Sequence, residues 1–103
     1  MLLIRDIMYC KPGKVRPLAD KFVALAKLSR KTGAAPIRVM TDISAERFWT
    51  VVTEMEIESL DAMEKMYESM MGDSEQAKEF QSIMEGYHDL VSEGRREIYR
   101  LEG

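Results

Sequence analysis

Few side chains in this sequence carry chemistry of their own. His88 is the single imidazole and Cys10 the single thiol among 103 residues. One imidazole excludes a His-rich metal site, and one thiol excludes both a disulfide framework and a cysteine-based zinc site. At 100° per residue, His88 lies roughly 60° from the centre of an apolar helical face that holds Met84 and Val91. It either edges a pocket between helix and sheet or is a half-buried, hydrogen-bonded histidine. Cys10 stands beside Lys11, a cation of the kind that lowers a thiol pKa, yet no second cysteine exists to resolve an oxidised form. It reads as an ordinary residue.

Aromatic and charged residues add two further possibilities. Trp49, Tyr9 and Tyr87, with His88, are the candidates to line a pocket between helices and sheet. Trp49 alternates with Val51 and Met55, which also suits a core position. Nine methionines are many for this length. Met63, Met66, Met70, Met71 and Met84 fall at helical spacings that suit core or pocket lining and do not demand a copper site. Arg5, Arg38, Glu54, Glu56, Arg96 and Arg100 fall in strand-like segments. On one shared sheet face they either pair across strands and set register, or an arginine receives an anionic ligand bidentately.

The elements that position these residues follow from periodicity. Leu2–Tyr9 alternates as a strand with apolar residues on both parities, and Lys11-Pro12-Gly13 ends it. Val15, Leu18, Phe22 and Leu25 give one stripe on a helix from about Val15 to Lys31, stopped at Thr32-Gly33. Ile37–Ile43 and Phe48–Glu58 alternate as two strands, and the short Ser44–Arg47 link makes them an antiparallel hairpin. Ser59 or Asp61 caps a helix carrying Leu60, Met63, Met66, Tyr67 and Met70. Gly72-Asp73-Ser74 interrupts it. A further helix is expected from about Glu75 to Ser92, ended by Gly94, with Arg95–Leu101 as the last strand.

The order is β-α-β-β-α-β across one domain, residues 1–103. This is the split βαβ, or ferredoxin-like, α+β arrangement with a four-stranded antiparallel sheet. Helices cover one sheet face. The other carries Phe48, Val52 and Glu54, and an apolar face of that kind wants a partner. Two sheets stacked as a C2 homodimer are the expected solution, with those three residues at the interface.

Composition sets the outer bounds. Hydrophobic residues make up 46% and charged residues 32%, which suits a folded domain and argues against disorder. No apolar run reaches the roughly 20 residues of a membrane span. The opening MLLIRDIMYC is too interrupted for a signal-peptide core, so a cytoplasmic address is expected. Charge is uneven: ten Lys/Arg against four Asp/Glu in residues 1–48, five against fourteen in 49–103. The net charge of −3 argues against nucleic-acid binding, where phosphate neutralisation dominates. The adjacent aromatics Phe48 and Trp49 point to opposite faces and precede three glutamates, so an RNA-recognition surface is not expected.

"KPGK" after the first strand, "VVTEMEIESLDAMEK" from the third strand into its helix, and "EGRREIYRLE" at the end resemble NIPSNAP-like proteins of the dimeric α/β-barrel superfamily. The resemblance spans nearly the whole chain. It implies a homodimer whose two sheets form a barrel; the function expected of such a module is to bind a small molecule or to serve a structural role. The superfamily also holds cofactor-free monooxygenases and haem-degrading enzymes, which implies a small oxygenase as the alternative. Haem-degrading relatives use a helix histidine as an iron ligand, and His88 is the residue here that matches. No cofactor is otherwise expected. The relatives' asparagine near the substrate has no counterpart, since the sequence contains none.

Overall fold

The structure, a computed structural model, describes residues 1–103. Its elements are β1 (Leu2–Cys10), α1 (Val15–Thr32), β2 (Ile37–Thr41), β3 (Thr50–Ile57), α2 (Leu60–Met70), α3 (Glu75–Met84), a 3-10 turn (Tyr87–Asp89) and β4 (Val91–Arg100). The sheet has strand order β2-β3-β1-β4, and all its pairs are antiparallel. This is the ferredoxin-like topology. No helix is long and apolar enough to cross a membrane.

Strand alternation assigns the two faces. Ile4, Met8 and Cys10 of β1 and Val51 of β3 face the helices. Cys10 and Val51 pack with Leu18, Ala19 and Phe22 of α1 as the core. The α1 stripe is buried because residues one, four and eight apart fall on one side of a 3.6-residue helix. Gly33 ends α1 in the left-handed region, φ 77°, where a side chain would be strained. Its N–H and that of Ala34 close back onto the carbonyls of Arg30 and Ser29.

Serines start the next two helices. Ser59 Oγ accepts from Ala62 N at 3.1 Å and Ser74 Oγ from Ala77 N at 3.0 Å. Ser59, not Asp61, therefore caps α2. The far end of α3 is held from α1: Lys21 Nζ donates to the carbonyls of Ile83 and Glu85 at 3.1 and 2.7 Å. A cation there also opposes the negative end of the helix dipole.

Two boundaries differ from the sequence expectation. The last helix ends at Met84, not near Ser92, because Gly86 takes φ 82° and breaks the helical path. A 3-10 turn follows, and β4 begins at Val91, so Gly94 is not a helix stop but lies inside the strand, opposite Met8. A Cβ at Gly94 would lie 3.1 Å from the Ile7 carbonyl oxygen, closer than a side chain comfortably sits. The free edge of β1 supplies a ladder that outcompetes further helix.

The second difference is the β2–β3 connection. It runs over residues 42–49, longer than Ser44–Arg47. Asp42 closes its base: Oδ1 accepts from Thr50 N at 2.9 Å, and Asp42 N donates to Thr50 O at 3.2 Å. Phe48 therefore sits on this loop, not in the strand, and is 84% exposed. Trp49 takes φ 64°, a rare conformation for a bulky residue, at the point where the chain re-enters the sheet.

Candidate functional site

The helix-free sheet face is built in rows. Register places Arg38, Glu54, Arg5 and Glu97 side by side across β2, β3, β1 and β4. Charge alternates along this row from one sheet edge to the other. Glu54 is 8% exposed and accepts from Arg5 Nε at 2.6 Å and Arg38 Nη2 at 2.5 Å. The Arg5 hydrogen bond, opposed by burial and assisted by Arg38, holds the Glu54 carboxyl below the usual carboxylate range. Glu97 is lowered as well, by Arg95 first and then by the Tyr99 hydroxyl.

The next row is apolar: Met40, Val52 and Ile7, closed at the β4 edge by Arg95. Beyond it stand Thr50, Tyr9 and Glu93. Tyr9 is 7% exposed although no helix covers it. The Arg47 guanidinium lies 4.2 Å from its ring centroid, and Arg95 Nη1 donates to its hydroxyl oxygen at 2.6 Å. Arg47 in turn pairs with Glu93, and Arg95 with Glu97 at 3.0 Å.

Between this face and the 42–49 loop lies a cavity of about 500 Å³. Its polar lining holds three guanidiniums (Arg5, Arg47 and Arg95), three carboxylates (Asp42, Glu46 and Glu54) and the Tyr9 phenol; Ile7, Met40, Ile43 and Val52 supply apolar lining. The arrangement can hold a small molecule against apolar side chains with guanidinium and phenol groups at one end.

The sequence-predicted pocket residues do not come together. Of the four, only Tyr9 lines the cavity. Tyr87 and His88 lie on the 3-10 turn, ring centroids 4.0 Å apart, with Tyr87 packed against the helix-side core. His88 is exposed. Trp49 is 45% exposed at the loop end. An exposed imidazole on a turn, tilted against a neighbouring tyrosine and outside the cavity lining, does not fit a haem ligand. Cys10 is buried, and loss of solvation, with Asp42 nearby, pushes its thiol up; the Lys11 neighbour does not activate it.

The interface candidates divide differently. Val52 and Glu54 lie on the open face, and Phe48 projects from the adjoining loop. Among the charged strand residues, Arg5, Arg38 and Glu54 meet there. Arg96 does not. It lies on the helix side, where Nε and Nη2 hold Asp6 at 2.6 and 3.1 Å. Arg47 and Arg95, the two guanidiniums on Tyr9, stand out only after β4 is registered: Arg95 then shares a parity with Glu97.

No family model matches the sequence, and no curated protein matches it. Solved structures do match in three dimensions. An uncharacterised NIPSNAP domain protein from Burkholderia xenovorans aligns with TM-score 0.77 and 16% identity, over 100% of this chain and 96% of that one. A NIPSNAP family protein from Agrobacterium tumefaciens aligns with TM-score 0.76 and 13% identity, over 96% and 90%. An antibiotic biosynthesis monooxygenase aligns over the whole of both chains, with TM-score 0.71 and 12% identity. The chain has the ferredoxin-like fold shared by NIPSNAP domain proteins and these monooxygenases. The likeness expected from its sequence holds at the level of fold.

Proposed function

We propose that this chain is a homodimeric α/β-barrel binding module, paired through the open sheet face and enclosing a small molecule in the cavity there. One quantity carries the assembly. The isolated chain exposes 6986 Å², whereas a monomeric protein of 11.9 kDa exposes roughly 5,900 Å². The excess is of the order that one partner buries in a stable interface, about 800 Å². The open face suits that role. Its apolar row contributes about 2.5 kcal/mol per 100 Å² removed from water, before association costs. Its charges are already hydrogen-bonded within the protomer, which lowers the cost of drying them.

Val52 lies in the middle of that row, so Val52→Asp brings two carboxylates towards each other near a two-fold axis. Sedimentation at micromolar concentration is the test. The wild-type chain is expected at twice 11.9 kDa, with Val52→Asp shifted towards the monomer. A wild type sedimenting at 11.9 kDa overturns the dimer. A normally stable Val52→Asp dimer moves the interface to the sheet edges.

The oxygenase reading has less support. It draws on the shared fold and on residues that face different sides of the sheet, and fold alone does not select chemistry. The single cysteine, buried and unpaired, is compatible with the reducing cytoplasm, which we propose as the location.

A further inference from the structure

We infer that the open-face cavity takes an apolar monocarboxylate, its carboxylate received by Tyr9, Arg95 and Arg47; this rests on the binding-module reading above. The hydroxyl oxygen of Tyr9 accepts from Arg95 Nη1 at 2.6 Å, and the hydroxyl's own proton meets no acceptor in the protein. Tyr9 is more than nine-tenths buried, at 7% exposure, so this is a sheltered donor at the cavity wall. A buried donor without an acceptor is costly, and a ligand that accepts from it recovers that cost. Two guanidiniums flank the same phenol, Arg95 on its oxygen and Arg47 over its ring. Donors of this kind gathered around one phenol favour a carboxylate, which accepts on both oxygens.

Glu97, only 25% exposed, holds Arg95 through Nε at 3.0 Å, and the carboxylates on the other guanidinium nitrogens sit towards water. The Glu93 side chain is 54% exposed and that of Glu46 is 71% exposed, the latter 3.8 Å from Arg95. Either can turn into solvent at little cost when a ligand carboxylate arrives, since exposed ion pairs contribute under about 1 kcal/mol. The other end of the cavity is different. Glu54 is fixed there by Arg5 and Arg38 and presents a held negative charge. A second carboxylate on the ligand meets repulsion at that end. Between the two ends, Ile7, Met40 and Val52 offer only apolar surface. The ligand is therefore anionic at one end and apolar along its length. The volume of about 500 Å³ lies within the roughly 300–1,000 Å³ of small-molecule sites.

Calorimetric titration of the full chain with naphthalene-2-carboxylate and with naphthalene-2-carboxamide separates charge from shape. The carboxylate is expected to bind at least tenfold more tightly than the amide. Tyr9→Phe, which removes only the hydroxyl, is expected to weaken the carboxylate about tenfold and the amide less than twofold. Arg95→Gln is expected to do the same. Equal affinities for acid and amide on the wild type overturn the carboxylate assignment while leaving a binding cavity in place. Binding of neither overturns the cavity reading and this assignment together. The wild-type comparison decides the matter even if a variant fails to fold.

Discussion

The two faces of the sheet use charge in opposite ways. On the helix side of the sheet one ion pair, Asp6 with Arg96, is partly open to water and has its guanidinium 4.9 Å from the centre of the Tyr67 ring. Both carboxylate oxygens are taken. Burial pushes the Tyr67 phenol up, with Arg96 pulling the other way. On the open side the charges form a chain from β2 to β4, and one end of it brings Arg95 against Tyr9. A bidentate pair with both carboxylate oxygens taken holds one arrangement even with its arginine 42% exposed. On the open side Glu54 is fixed by two arginines, whereas the Arg47–Glu93 and Arg95–Glu46 pairs stand in water and can be exchanged. The packed core thus lies on one side of the four-stranded sheet and the cavity on the other.

That division predicts unequal mutational costs. Leu18 is 0% exposed and packs against Cys10, Phe22 and Val51 beneath the sheet. Leu18→Ala is expected to cost about 2–5 kcal/mol, the lost transfer energy plus a cavity. Urea unfolding monitored by circular dichroism measures it, and the loss removes much of the stability of a domain this small. A cost below about 1 kcal/mol would mean that the helix-covered side does not carry the fold.

Much of this architecture was legible in the sequence, for a physical reason. Period-2 alternation in Thr50–Ile57 and the 3.6-residue stripe through Leu18 and Phe22 are local signals, and the element order follows from them. The pocket was not legible, because its residues belong together only through register. Tyr9 and Arg95 stand 86 positions apart and meet across the β1–β4 ladder. Reading Glu75–Ser92 as one helix hid that ladder. Gly94 looked like a helix stop, while the residue that breaks the helix is Gly86. His88 and Tyr87 shared a face only as long as the helix was continued through them. The shared side of Val52 and Glu54, by contrast, is visible as strand parity, which needs no long-range contact to read.

Acid sharpens the comparison further. Glu54 is the most enclosed carboxylate of the open-face chain, accepting from both Arg5 and Arg38. Glu54→Gln is expected to cost about 1–3 kcal/mol at neutral pH, since it weakens two charge-assisted hydrogen bonds. The folded carboxyl is lowered from its ordinary value of 4.5, with the Arg5 hydrogen bond as the first cause. A lowered carboxyl contributes its full stability above the ordinary value and loses it as pH falls through the folded one. The wild type should therefore lose stability below about pH 4.5 faster than Glu54→Gln, and the two curves should converge in acid. Urea midpoints taken at descending pH give both curves. Parallel curves would show that the chain of charges contributes nothing through Glu54.

The smallest effect on the fold is expected from Phe48, which lies on neither face. It projects at 84% exposure from the loop that also carries the wholly exposed Ile43. Phe48→Ser removes no packing inside the protomer, so the stability of the single chain should change by less than about 0.5 kcal/mol. Its effect belongs to assembly. A phenyl ring buried by a second copy contributes about 1.5–3 kcal/mol. Its loss should weaken the dimer at least tenfold, as every 1.4 kcal/mol is tenfold in the dissociation constant. Sedimentation across a dilution series reads that shift, and circular dichroism confirms an unchanged fold. If the dissociation constant does not move, the loop tip is outside the interface, and the pairing surface is confined to the sheet itself, centred on Val52. If the single chain loses more than about 1 kcal/mol instead, the loop folds back onto its own cavity, and Phe48 belongs to the site rather than to the partner.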